Sequence, residues 1–86
     1  MKATGCKLID RLTDAIETHK GGDEYGEMRG QQYMLTVASM CMNEGQHATD
    51  WNQLFKESAT FLLAATGIKD IDTNELMQEY VSLNAR

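Results

Sequence analysis

The chain has 86 residues, of which 42% are hydrophobic and 24% charged, so it can form one small domain and is too apolar for a disordered chain. Thirteen acidic residues against eight basic ones give a net charge of −5, which opposes direct binding to nucleic-acid phosphates. The sequence shows no apolar run of membrane-spanning length and no apolar signal sequence. We therefore expect a single helical domain, residues 1–86, in the cytoplasm.

The first predicted helix covers residues 4–19. Its apolar residues recur at the three- and four-residue spacing that places side chains on one helical face. This face consists of Cys6, Ile9, Leu12 and Ile16. The pair Gly21-Gly22 is expected to end the helix, because glycine adopts the left-handed conformation that closes helices. The following stretch, GGDEYGEMRG, is then predicted to be a long, acidic loop.

The second predicted helix covers residues 31–43 and is nearly apolar all round, which indicates a central and mostly buried helix. The predicted core face contains Met34, Val37, Ala38 and Cys41. The segment YMLTV is the alternative, because Tyr, Thr and Val favour β-strands. We favour the helix, since the apolar pattern persists for more than two turns and no partner strand is evident.

The third predicted helix covers residues 50–66. Asp50 is a favourable N-cap, and Gln53 three residues later completes a capping-box pattern. At the other end, Gly67 followed by the apolar Ile68 is typical of a Schellman motif. Both ends of this helix are therefore predicted from local sequence.

The segment before the fourth helix admits two interpretations. Asp70, Asp72 and Asn74 occupy the first, third and fifth positions of a possible calcium loop, where oxygen ligands are expected. Such a loop also needs glycine at its sixth position and glutamate at its twelfth, where this chain has Glu75 and Val81. Because both diagnostic positions differ, the pattern does not favour a calcium site.

The same segment fits the start of a helix over residues 73–84. Asp72 is expected to cap the first turn, with Glu75 three residues later, and Ile71 can pack on Leu76 as a hydrophobic staple. With this element the sequence predicts an all-α fold, a small single-domain bundle of four helices near residues 4–19, 31–43, 50–66 and 73–84.

No pattern in the chain indicates a metal, a cofactor or a catalytic centre. Met40, Cys41 and Met42 are soft ligands, but consecutive helical side chains point about 100° apart and cannot converge on one ion. The two histidines, His19 and His47, lie apart from each other and lack the spacing of zinc ligands. We therefore expect neither enzymatic activity nor a cofactor, and the cysteines are expected to be reduced thiols.

Acidic residues are concentrated between residues 10 and 27. Such a cluster favours steering toward a basic partner protein, and an aromatic or methionine side chain within it could anchor the contact. A solvated helix face followed by a flexible loop is the simpler alternative. The predicted partner-binding residues are Asp10, Asp14, Glu17, Asp23, Glu24, Tyr25, Glu27 and Met28.

The apolar second helix offers another candidate interface. A bundle of this size has little interior to spare, so we expect part of this helix to be buried in a homo-oligomer. The predicted self-association residues are Tyr33, Met34, Leu35, Met40 and Met42.

Three functional hypotheses remain at this point. The leading one is a small acidic module that binds another protein as an adaptor, regulator or inhibitor. The second is an inhibitor of phage or mobile-element type, whose carboxylates imitate nucleic-acid phosphates toward a host enzyme. The third is a small-ligand or metal binder whose site lies between subunits and includes His19, Cys41 or His47.

Overall fold

The chain folds as four helices with no strand in residues 4–46 and 49–85, the part that the computed structural model describes. The helices are α1 (Lys7–Glu17), α2 (Tyr25–Asn43), α3 (Trp51–Thr66) and α4 (Thr73–Asn84). The predicted all-α bundle is therefore confirmed, and the segment YMLTV is helical. Helices α3 and α4 begin within one residue of the predicted positions and end at them, whereas α1 is shorter than predicted and α2 is longer.

The predicted long loop is wrong, because α2 begins at Tyr25 and includes most of GGDEYGEMRG. Two helical glycines, Gly26 and Gly30, cost about 1 kcal/mol each relative to alanine. Burial of Met28 contributes about 1.5–3 kcal/mol in the opposite direction, and this side chain is buried in the core. Tertiary packing thus offsets the local preference, and the connection from α1 shortens to residues 18–24.

The N-terminus of α1 is capped by a residue from the other end of the chain. The carboxylate of Glu79, on α4, accepts hydrogen bonds from the backbone N–H groups of Leu8 at 3.0 Å and Ile9 at 3.1 Å. The residue in the N-cap position is Cys6, whose side chain makes no capping bond in the described structure. A helix N-terminus leaves several backbone N–H groups without an intrahelical acceptor, and the Glu79 carboxylate is the acceptor for two of them in α1.

The ends of α3 follow local sequence signals. The Asp50 side chain accepts a hydrogen bond from the backbone N–H of Gln53 at 3.1 Å. Gly67 has a left-handed φ of 78°, and the N–H of Ile68 donates to the carbonyl of Leu63 at 3.1 Å. This bond and the left-handed glycine are the hallmarks of a Schellman motif. The predicted N-cap and Schellman end are confirmed, whereas the Gln53 side chain donates to Glu57 at 3.1 Å and does not complete the predicted capping box.

The start of α4 likewise follows the helix interpretation. The Asp72 carboxylate accepts hydrogen bonds from the backbone N–H groups of Asn74 and Glu75 at 3.1 and 3.2 Å. Ile71 and Leu76 are both buried, as the predicted staple requires. The nearby Asp70 forms a bidentate pair with Arg11 of α1, at 2.9 and 3.0 Å.

The core lies where all four helices meet, and α2 packs most extensively, first against α3 and then against α4. The rings of Phe55 and Tyr80 meet edge to face with centroids 5.7 Å apart. A polar link joins α2 to α4, where the Asn84 side chain donates to the Ser39 hydroxyl at 2.7 Å. The buried residues of α1 are those predicted, Ile9, Leu12 and Ile16.

The buried face of α2 is rotated relative to the prediction. Of the predicted core face, only Ala38 is fully buried, whereas Met34, Val37 and Cys41 are half-buried. The residues that α2 contributes to the interior are Met28, Leu35, Ala38 and Ser39. The helix is central, but one side of it faces solvent.

Candidate functional site

The acidic residues of α1 are partly engaged within the protein. Asp10 is half-buried and accepts hydrogen bonds from the backbone N–H and the hydroxyl of Thr4, at 2.9 and 2.8 Å. These bonds hold the pKa of Asp10 below its ordinary value, and the backbone bond has the larger effect. They stabilise the segment that leads into α1. Asp14 on the same helix is exposed.

Glu17 joins the end of α1 to the start of α2. Its carboxylate accepts a short hydrogen bond from the Tyr25 hydroxyl and lies 3.7 Å from the Arg29 guanidinium. The bond to Glu17 is the main reason that the pKa of Tyr25 is raised. Glu17 and Tyr25, both predicted to bind a partner, thus form a link between two helices of this chain.

The rest of the predicted acidic patch divides into exposed and buried residues. The carboxylates that remain exposed are Asp14, Asp23, Glu24 and Glu27. Met28 is buried in the core, so its prediction as a partner-binding anchor is wrong. The sequence placed it in a loop, and the early start of α2 turns its side chain inward.

The predicted self-association residues also divide. Leu35 is completely buried and belongs to the core, so its assignment to an external surface is wrong. Met34 and Met42 are half-buried. Tyr33 and Met40, in contrast, are 69% and 46% exposed. These two residues are seven positions apart, and Val37 lies between them on the same side of the helix.

Phe61 of α3 is 38% exposed and was not predicted as a surface residue for binding. The sequence does indicate this exposure, because Phe61 falls outside the apolar stripe of α3, which includes Phe55 and Leu62.

Because α2 and α3 are joined by a short connection and pack together, they run antiparallel. Phe61 and Tyr33 are equally far from that connection and so lie at a similar height. We call Tyr33, Val37 and Met40, which share one side of α2, the outer face.

A separate concave site, which we call the cleft, lies between α1, α2 and α4 and has a volume of about 280 Å³. Of the six helix pairs, α1 and α2 contact each other least, and the cleft lies beside this loose contact. Its polar lining includes Thr13, Arg29, Gln32, Thr36 and Tyr80, and its apolar lining includes Ile9 and Leu83. Tyr33 of the outer face also borders it.

Two polar groups of the cleft are held in fixed positions. The Gln32 side-chain N–H donates to the Thr13 hydroxyl at 2.8 Å, and that hydroxyl donates to the carbonyl of Ile9. Tyr80 is only 3% exposed. Burial raises the pKa of Tyr80, with a smaller opposing effect from the nearby Gln32 side chain. Its hydroxyl is therefore protonated at neutral pH.

The residues considered for a ligand or metal site do not come together. Cys6 and Cys41 carry free, half-buried thiols. His19 is exposed and lies beyond α1, which ends at Glu17 and not at the predicted residue 19. His47 is outside the described residues. Among the residues that are described, no three His, Cys, Asp or Glu side chains are close enough to hold one metal ion.

No protein-family model matches the chain, and no curated protein or solved structure matches it significantly. Within residues 4–46 and 49–85, no helix combines the length and the apolar character needed to cross a membrane. The geometry leaves three candidate sites, which are the outer face, the exposed acidic residues at the start of α2, and the cleft.

Proposed function

We propose that this protein is a non-catalytic module that binds another protein through the outer face. The observation that carries the proposal is the position of the large exposed apolar side chains in the described part of the chain. Tyr33 and Met40, the two most exposed of them, share one side of α2, and Phe61 is exposed on α3, the helix that packs most extensively against α2. Apolar side chains grouped on one surface are typical of interaction sites, whereas scattered ones are ordinary.

The composition of the outer face suits a protein partner. Tyrosine, phenylalanine and methionine are enriched where interfaces are fully desolvated, and tyrosine is common among residues that dominate binding energy. One exposed side of a helix also presents a strip against which a second helix can pack. An amphipathic helix binding along α2 would place its apolar residues against Tyr33, Val37 and Met40.

The charge around the outer face favours a partner helix with a basic rim. Glu44 follows Met40 by four residues, and Glu57 precedes Phe61 by four residues, so each lies one turn from an apolar side chain. Asp23, Glu24 and Glu27 add exposed negative charge at the start of α2, where the basic residue of that helix, Arg29, precedes Tyr33 by four residues. Opposite charge raises the association rate and selects among partners.

A second copy of this chain is the less favoured occupant. Each copy carries a net charge of −5, so like charges oppose their association. The second hypothesis, phosphate imitation, receives less support than protein binding through apolar contacts, because Asp10 and Glu17 already accept hydrogen bonds within the chain.

Photo-crosslinking tests the outer face. The photoreactive residue p-benzoylphenylalanine replaces Tyr33, Met40 or Phe61, one at a time, in cells of the source organism. Exposed Thr60 and Asp14, on other surfaces, are replaced in the same way as controls. We expect crosslinks to one other protein from Tyr33 and Met40 and none from Thr60 or Asp14, and crosslinks from Phe61 as well would extend the binding surface to α3.

The alternatives give different products. Crosslinks from Asp14 but not from Tyr33 would show that the partner binds at the acidic residues of α1 and not at the outer face. A product of twice the chain's mass would identify a second copy as the occupant and contradict the basic partner. Equal crosslinking from all positions, or none, would reject the outer face. Light scattering at two protein concentrations gives an independent check for self-association.

A further inference from the structure

We propose that the cleft between α1, α2 and α4 binds a small organic monocarboxylate with an aromatic or branched apolar body. This inference goes beyond the proposed protein binding and concerns the cleft, which shares Tyr33 with the outer face. It draws on the cleft's guanidinium group, its neutral donors, its apolar wall and its size.

Arg29 is the only charged side chain in the described lining of the cleft. Its side chain is 51% exposed and forms an ion pair with Glu17 at 3.7 Å, a separation longer than a hydrogen bond. Glu17 meanwhile accepts a hydrogen bond from Tyr25. The guanidinium therefore keeps donors available, and its planar fork matches a carboxylate with two parallel hydrogen bonds.

Neutral polar groups lie beside Arg29 in the same cleft. Tyr80 supplies a hydroxyl that stays protonated at neutral pH, and the hydrogen bond to Thr13 fixes the amide of Gln32. Thr36 adds a second hydroxyl. Because the folded helices hold these groups, a ligand orders few side chains when it binds, which lowers the entropic cost of binding.

The rest of the lining selects an apolar body. Ile9 and Leu83 form an apolar wall, and the exposed ring of Tyr33 stands at the border of the cleft. A volume of about 280 Å³ lies at the small end of the range for ligand pockets. A benzoate-sized acid fits this description, with its carboxylate on Arg29 and its ring toward Ile9 and Leu83.

A carboxylate fits the lining better than inorganic phosphate does. A phosphate dianion needs several donors around its whole surface, whereas the described lining provides one guanidinium and an apolar wall. The net charge of −5 further disfavours a dianion over a monoanion. The ligand class is therefore a monocarboxylate whose apolar part provides much of the contact.

The test is a titration of the ¹⁵N-labelled full chain, observed by the NMR signals of its backbone amides. The probes are sodium benzoate, its neutral analogue benzamide, and inorganic phosphate. We expect benzoate to shift the signals of Thr13, Gln32 and Thr36 in a saturable way. Benzamide and phosphate should bind at least about tenfold more weakly, because each lacks one part of the recognition.

Two variants assign the interaction to Arg29. Arg29→Gln should weaken benzoate binding by at least about tenfold, since it removes the charge-assisted bonds. Lys69→Gln removes the same charge from an exposed position outside the described lining of the cleft and should leave binding unchanged. Both residues are exposed, so both variants should keep the wild-type pattern of amide signals.

The following outcomes would overturn the proposal. One is the absence of saturable shifts in the cleft. Another is equal affinity for benzamide or for phosphate, which would indicate an apolar pocket or a simple anion site. A third is unchanged binding in Arg29→Gln. None of these results depends on a protein partner, so failure here leaves the test of the outer face intact.

Discussion

The two halves of the bundle stabilise their helix ends in different ways. In the C-terminal half, α3 and α4 directly follow Asp50 and Asp72, whose side chains cap these helices. In the N-terminal half, the residues in the N-cap positions of α1 and α2 form no side-chain capping bonds within the described structure. Helix α1 depends on Glu79 of α4 instead. The C-terminal helices thus carry their own start signals, whereas the N-terminal helices require the assembled fold.

The largest expected effect comes from removing the long-range cap. Glu79→Ala should lower the free energy of unfolding by about 2–3 kcal/mol, because it leaves the N–H groups of Leu8 and Ile9 without their charged acceptor. The measurement is urea unfolding of wild type and variant, followed by far-UV circular dichroism.

A local cap provides the matched control. Asp72→Ala removes a carboxylate that also accepts two backbone N–H bonds, but within one exposed helix start. We expect a loss of about 1 kcal/mol, and a nearly neutral effect for Asp72→Asn, since asparagine caps equally well. If Asp72→Ala cost more than Glu79→Ala, the N-terminal half would not depend on its long-range cap in the way described.

A smaller change should make the N-terminal half less dependent on tertiary contacts. Gly30 is exposed within α2, and a Cβ atom there would meet no other atom within 4 Å. Gly30→Ala should therefore stabilise the protein by about 0.5–1 kcal/mol through helix propensity. A shift of the urea midpoint to higher concentration would show this gain.

The control for that variant is Gly21, in the connection between α1 and α2. Its φ of +94° is a conformation that alanine rarely adopts, so Gly21→Ala should destabilise the protein even though space is open around it. Stabilisation by both variants, or by neither, would contradict the assignment of the Gly30 effect to helix propensity.

The contrast between the halves also explains what the sequence could predict about the fold. Asp50, Asp72 and Gly67 act within a few residues of themselves, so their roles follow from spacing. The start of α2 depends on burial of Met28, and the start of α1 depends on Glu79, about seventy residues away. Contacts of that kind have no local pattern, and the glycines near residue 26 favoured the wrong interpretation.

The candidate sites were predictable to a similar degree. Composition predicted a self-association surface on α2, and two of the predicted residues, Tyr33 and Met40, are exposed. A helix that is apolar on nearly all sides does not show which side faces the core, so Leu35 was assigned to the wrong side. The cleft combines residues of three helices, and no spacing along the chain could show that Arg29 lies near Tyr80.

The smallest expected effect concerns Asp70 and Arg11, the exposed ion pair that ties α1 to the connection between α3 and α4. The Arg11 hydrogen bond holds the pKa of Asp70 below its ordinary value of 3.8. A lowered folded-state pKa stabilises the protein above the unfolded value, and this stabilisation is lost as the pH falls through the folded value. Asp70→Asn should therefore show a shallower fall in stability between about pH 5 and pH 3 than wild type.

The double variant Asp70→Asn with Arg11→Gln shows whether this effect belongs to the pair. If the two side chains act only through each other, the double variant should lose no more stability than either single variant. The wild-type advantage should also shrink at high salt, because both side chains are exposed and their attraction is screened. An advantage that persists in molar salt would instead indicate packing by the Arg11 side chain, and α1 would then be tied to the C-terminal half by shape as well as by charge.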